Sequence, residues 1–154
     1  MDELPAFLRD PARAARVALA AESFGRLIGQ PLAERSADPV LALWHAPRVI
    51  VAHGAEADPL FFFGNKAALA RFETDIASFI GMPSRLSAEA PERAERQALL
   101  DEVTRNGFIA NYAGVRISAL GRRFRIEQAI VWNLVDEAGG IHGQAATFDR
   151  WTEL

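Results

Sequence analysis

The last third of the chain constrains the fold most. Across residues 108–118, 122–136 and 141 to about 151, apolar and polar residues alternate in three long runs joined at Leu120-Gly121 and Gly139-Gly140. A period of two marks strands, and joints this short and glycine-bearing leave room only for hairpins. An antiparallel meander buries one face and needs a second layer over it. The upstream sequence supplies that layer. Val49-Ile50-Val51-Ala52-His53 and Leu60-Phe61-Phe62-Phe63 read as two further strands around a turn-rich segment, and the phenylalanine triplet implies burial on both faces. Asn65 caps a helix from Lys66 to about Phe72, and a short helix is expected over residues 75–80. A longer one follows Ser87, with Ala94, Ala98, Leu99 and Val103 inward, and stops at Asn106-Gly107.

Residues 11–30 form an amphipathic helix, begun by Asp10-Pro11 and ended by Gly29 and Pro31, whose stripe is Val17, Ala20, Ala21, Phe24, Leu27 and Ile28. A short helix or turn covers Val40 to Trp44. The order predicts an α+β domain with a five-stranded antiparallel sheet, short helices on one side and an N-terminal helix. Residues 1–46 read as a helical segment packed on a core of residues 47–154.

Composition narrows the function classes. With 154 residues, 50% hydrophobic and a net charge of −3, the chain has material for one core and is not disordered. Lys66 is the only lysine among 17 basic residues, and these are spread along the chain, which argues against a nucleic-acid partner. No apolar run spans a membrane, and Asp2 and Glu3 do not suit a secretory leader, so a cytoplasmic location is expected. The absence of cysteine removes disulfides, thiolate catalysis and Cys-bound metals. There is no G-x-S-x-G, G-x-G-x-x-G or P-loop. His53 with Glu56 and Asp58 matches no tight metal motif, so neither a metal site nor a catalytic residue is assigned.

Strand parity sets the candidate site. If the first hairpin centres on Leu120-Gly121, Val115 and Ile117 share the inner face with Phe124, Ile126, Gln128, Ile130, Trp132 and Leu134. Thr147 and Asp149 join them from the third strand. Gln128 then points into an apolar interior, where its amide needs partners. The opposite face carries Arg116, Arg125, Glu127 and Arg150, a charged cluster in which Arg125 opposes Arg116 and Glu127 opposes Arg150.

Several blocks resemble the MEKHLA domain, a PAS-like module found in small bacterial proteins and at the C-terminal end of plant class III homeodomain–leucine-zipper factors. They are Val49-Ile50-Val51-Ala52-His53-Gly54, Glu56-Ala57-Asp58-Pro59-Leu60-Phe61, Phe63-Gly64-Asn65-Lys66-Ala67-Ala68-Leu69 and Pro83-Ser84-Arg85-Leu86-Ser87-Ala88-Glu89. The strongest runs from Gly114-Val115-Arg116-Ile117-Ser118 through Gly121-Arg122-Arg123-Phe124-Arg125-Ile126-Glu127-Gln128 to Val131-Trp132-Asn133-Leu134. The resemblance covers about residues 11–154. It implies a PAS-like fold and a non-enzymatic sensory or protein-interaction module, with an unknown small molecule between sheet and helices. The expected contacts are Gln128, Trp132, Thr147 and Asn65, the last more naturally a helix cap. PAS-like folds carry several cofactors. A cysteine-linked flavin or chromophore is excluded here, haem is disfavoured because the long helix has no histidine, and a non-covalent flavin stays open. The N-terminal helix implies a homodimer. The rival readings are a cone-shaped α+β enzyme, which would need a buried His–Asp or His–Glu pair, and a dimerisation module with a filled core.

Overall fold

A computed structural model describes residues 4–154; Asp2 and Glu3 lie outside them. After a helical turn at Ala6–Arg9 come α1 (Pro11–Ile28), α2 (Pro39–His45), β1 (Val49–His53), β2 (Phe61–Gly64), α3 (Lys66–Arg71) and α4 (Ile76–Phe79). A turn at Ser84–Ser87 leads into α5 (Ala90–Asn106), then β3 (Phe108–Ile117), β4 (Arg123–Val135), β5 (Ile141–Phe148) and β6 (Arg150–Glu153). The sheet is antiparallel in the order β2-β1-β5-β4-β3, with β6 also on β4, so it has six strands rather than the expected five. The expected third meander strand is interrupted at Asp149. β5 pairs with the later half of β4 and β6 with its first half, from Phe124↔Glu153 to Glu127↔Arg150.

The caps follow the sequence. Asp10 and Asp38 accept backbone N–H bonds ahead of proline-started helices. Asn65 does more. Its Oδ1 accepts from Ala68 N and Ile50 N, and its Nδ2 donates to the carbonyls of Leu43 and Arg48. One buried side chain therefore ties α2, β1 and α3 together.

The sheet has a core on each face. α1 and α2 cover one face, where Val17, Ala20 and Phe24 pack on Ile50, Trp132 and Leu134. α3, α4 and α5 close the other, where Leu99, Leu100 and Val103 meet Phe61, Phe124, Ile126 and Val131. The apolar stripe of α1 is thus largely used within the chain: Val17, Ala20 and Phe24 are buried.

Two local features overturn the expected strand parity. The first hairpin closes through Ser118 N to Arg122 O with Gly121 at φ 84°, so Arg116 faces Phe124 and Val115 faces Arg125. This one-residue difference turns Arg116 inward and Val115 outward. The second feature is a bulge. From Ile126 to Ala129 β4 takes three steps while β3 takes two, from Gly114 to Tyr112, and Gln128 sits there at φ 52°. Phe124 and Ile126 face α5 before the bulge. Beyond it Ala129 and Val131 do, and Ile130, Trp132 and Leu134 turn to α1. A return bulge on β3, with Asn111 at φ 58°, restores the ladder.

Candidate functional site

The sheet face under α5 encloses a pocket. Its apolar wall includes Val51, Phe61, Leu99, Ile126, Val131 and Phe148. Polar groups enter it from four elements: His53 on β1, Arg96 on α5, Tyr112 and Arg116 on β3, and Gln144 on β5. The enclosed space is small, about 50 Å³. That holds a few waters or a handful of heavy atoms, far below the roughly 300–1,000 Å³ of drug-sized ligand pockets. Beside it lies an open cleft of about 580 Å³ lined by the 53–59 turn, Arg85 and the outer side of α5. Arg96, His53 and Gln144 line both spaces and so form the partition between them.

The polar lining is ordered by the fold. Tyr112 donates its hydroxyl to the Glu95 carboxylate, 3.1 Å from each oxygen, and accepts from Arg116 Nη2 at 3.2 Å. Arg116 Nη1 also donates to the Val115 carbonyl at 2.8 Å. Gly114 makes this possible, because a Cβ there would run into the Tyr112 hydroxyl and crowd Arg116 Nη1. Burial pushes the Tyr112 phenol up from its usual pKa. Gln144 Nε2 lies within hydrogen-bond distance of the Leu100 carbonyl, Thr104 Oγ1 and Asn133 Oδ1, and Asn133 donates to the Val103 carbonyl. These bonds pin α5 to the sheet.

His53 is buried, with Nδ1 3.0 Å from the Gly54 carbonyl. A carbonyl only accepts, so Nδ1 carries the proton. Burial lowers the ring to about 4, so it is neutral at pH 7. No acid hydrogen-bonds it among the described residues: Glu56 accepts from Leu60 N at 2.6 Å, and Asp58 pairs with Arg85 at 3.2 Å. The His–acid pair that the enzyme reading requires is therefore not formed by these groups. Among the described residues no cluster of His, Asp and Glu could hold a metal.

Arg96 is a buried charge that the fold leaves unpaired. It is 8% exposed, yet it makes no hydrogen bond or ion pair to any described residue. Burial, then the charge of Arg116, lower its pKa to about 10.

The expected contact residues lie elsewhere. Gln128 is exposed at the bulge, so the expectation that it enters the interior is corrected: the extra residue in β4 turns it out, while the changed hairpin register moves Arg116. Trp132 is fully buried on the α1 side, stacked edge-on to Phe24 at 4.8 Å, with Nε1 donating to the Ala20 carbonyl at 3.0 Å. Thr147 pairs with Ile50 and Ile130 and faces the same α1 layer, and Asn65 is spent on its cap. Of the charged cluster, Arg125, Glu127 and Arg150 stay on the outside, where Thr152 Oγ1 donates to Glu127 at 2.8 Å. Glu127 opposes Arg150 as expected, whereas Arg116 is buried in the pocket. On α5 the inward set is Arg96, Leu99, Leu100 and Val103; Ala94 and Ala98 are exposed. The sequence carries the spacing i, i+3, i+4, i+7 from Arg96, but the charge at its head favours the alternative stripe through Ala94 and Ala98, which the structure corrects.

A curved antiparallel sheet with short helices closed over a small interior is the architecture of a PAS-type domain, the fold class of many sensory and interaction modules. The PAS domain of a protein from Colwellia psychrerythraea superposes with a TM-score of 0.62 at 13% identity, covering 73% of this chain and 91% of that one. A light-oxygen-voltage domain studied with a flavin analogue does so at 0.60 and 13%, covering 75% and 83%. These likenesses concern the fold. The chain itself belongs to the MEKHLA family, whose domain matches residues 14–153. The rice homeobox-leucine zipper protein HOX29 (Oryza sativa subsp. indica) is 30% identical over 114 residues, 73% of this chain and 13% of that protein. Arabidopsis thaliana ATHB-9 is 30% identical over 99 residues, 62% of this chain and 11% of that protein. The chain thus spans a small fraction of these relatives' length.

The light-oxygen-voltage likeness raises the question of flavin. The residues here do not fit one: Phe61, Phe72 and Phe148 narrow the interior to about 50 Å³, too small for a flavin ring system, and there is no cysteine for a thiol adduct.

Proposed function

We propose that the chain is a non-enzymatic sensory or protein-interaction module that binds a small molecule in the pocket between its sheet and α5. The convergence of polar groups from four elements on a small apolar interior carries the reading, because a few placed polar groups in an apolar pocket are what small-molecule sites need. Occupancy would act on α5 and on the 53–59 turn, the elements that meet at the partition. The reading places the protein in the cytoplasm, with no nucleic-acid or membrane partner; among the described residues no helix is long and apolar enough to cross a membrane. It includes a homodimer, the commonest soluble assembly. Its interface is not the stripe of α1, which its own sheet covers.

A second reading, a dimerisation module with a filled core, is favoured by the small volume of the interior. Native mass spectrometry of freshly purified protein separates the two. A retained small-molecule mass, or a binder in a thermal-shift screen of small metabolites, supports the first. A bare dimer that no small molecule stabilises supports the second, and a monomer by light scattering at tens of micromolar removes the dimer from both.

A further inference from the structure

The fold itself gives Arg96 nothing to do. Arg96 is largely buried, lines both the pocket and the outer cleft, and feels the charge of Arg116 rather than that of a carboxylate. Five N–H donors are left without a partner among the described residues. Arg116, also buried, uses two bonds and keeps donors spare. The carboxylate closest to this group in the network, Glu95, is exposed and engaged by the Tyr112 hydroxyl. Two buried arginines held at one cavity without a counter-ion repel each other and cost stability, unless the missing charge comes from outside.

The cavity restricts what can supply it. A guanidinium fork matches the planar pair of oxygens of a carboxylate. The space suits only a few heavy atoms. Most of the remaining wall, Val51, Phe61, Ile126, Val131 and Phe148 among it, is hydrocarbon, and the Ser87 and Tyr112 hydroxyls and the Gln144 amide that also line it already donate within the chain, which suits a carbon tail and penalises the further oxygens of phosphate or sulfate. We propose that the pocket takes a short-chain carboxylate of about two to four carbons, its oxygens held by Arg96 and Arg116 and its tail laid on the apolar wall. This rests on the pocket reading above and names the ligand class. Arg96 lies on the partition with the outer cleft, so the ligand enters past the side chain that then holds it.

The test is calorimetry and thermal unfolding of the full chain in carboxylate-free buffer with acetate, propionate, butyrate, inorganic phosphate and, as the neutral analogue, propionamide. At least one carboxylate is expected to bind saturably and raise the melting temperature. Arg96→Met and Arg116→Met should each weaken it roughly 10- to 100-fold, the loss of a charged hydrogen bond, with circular dichroism confirming that both variants fold. Arg96→Lys, which keeps the charge without the fork, should fall between. No binding by any carboxylate overturns the proposal. So does binding unchanged in both arginine variants, or phosphate binding as tightly as the carboxylates. If propionamide binds where carboxylates fail, and Ala146→Leu blocks it, the ligand class is wrong and the pocket survives. If nothing in the series binds and native mass spectrometry finds the protein bare, the pocket reading falls too.

Discussion

Arg96→Met should make the ligand-free protein more stable. At pH 7 the guanidinium is charged in the folded and the unfolded chain, so the lowering of its pKa from the usual arginine range to about 10 is an energetic cost carried by the native state. One pKa unit is about 1.4 kcal/mol, so the cost is roughly 3 kcal/mol. Methionine spans a similar length, adapts to irregular cavities and needs no hydrogen bond. No bond to a described residue is lost with the guanidinium. The expected gain is therefore about 1–3 kcal/mol, and for a chain of this size each kcal/mol raises the melting temperature by roughly 2–4 °C. Urea unfolding followed by far-ultraviolet circular dichroism, at pH 7 in carboxylate-free buffer, measures it. The midpoint should rise with an unchanged slope, and Arg96→Lys should show no comparable gain. A loss of more than about 1 kcal/mol in the methionine variant would refute the reasoning, since it would mean that Arg96 holds the fold together.

Further outcomes follow from the same geometry. The pKa of His53 is lowered from 6.5 to about 4, so the unfolded chain binds its proton first: stability is whole above about pH 6.5 and declines as pH falls toward 4, by up to roughly 3 kcal/mol. His53→Gln should flatten that part of the urea-midpoint profile. Gly114→Ala should cost about 1–3 kcal/mol, because the new methyl displaces the Tyr112 hydroxyl from Arg116; an unchanged urea midpoint would contradict it. Gln128→Gly should stabilise by about 0.5–1 kcal/mol, since glycine adopts the left-handed backbone of the bulge without a Cβ penalty, and a clear loss in thermal unfolding would argue against the bulge. Asn65→Asp keeps the cap but removes both Nδ2 bonds, leaving the Leu43 carbonyl with Ala46 N alone and the Arg48 carbonyl without its side-chain donor, so a drop of about 2–4 kcal/mol is expected in the same assay.

The sequence by itself determined the order of elements, the ends of the helices and the family. Those depend on short-range chemistry: Asp10 and Asp38 before proline, Asn65 ahead of Lys66, glycines at the hairpins, and an apolar stripe on α1 long enough to read. Which side each strand residue faces was decided by tertiary structure. A loop one residue different from the expected hairpin turned Arg116 inward, and a single extra residue at Gln128 sent Trp132 and Leu134 to the opposite layer. Parity has a period of two, so one local irregularity reverses everything beyond it, and nothing in Glu127-Gln128-Ala129 announces the bulge. Thr147 lies on the α1 side with Ile130 for the same reason, and the break at Asp149 that separates β5 from β6 has no mark in the local sequence. The site was harder still to read. Arg96, Tyr112, Arg116 and Gln144 come from three elements far apart in the chain, and a charged residue reads as a solvent face until packing places it inside. Burial is a property of what the rest of the molecule puts around a side chain, which is why the sequence pointed to an interior pocket but only the folded sheet and α5 decided which side chains line it.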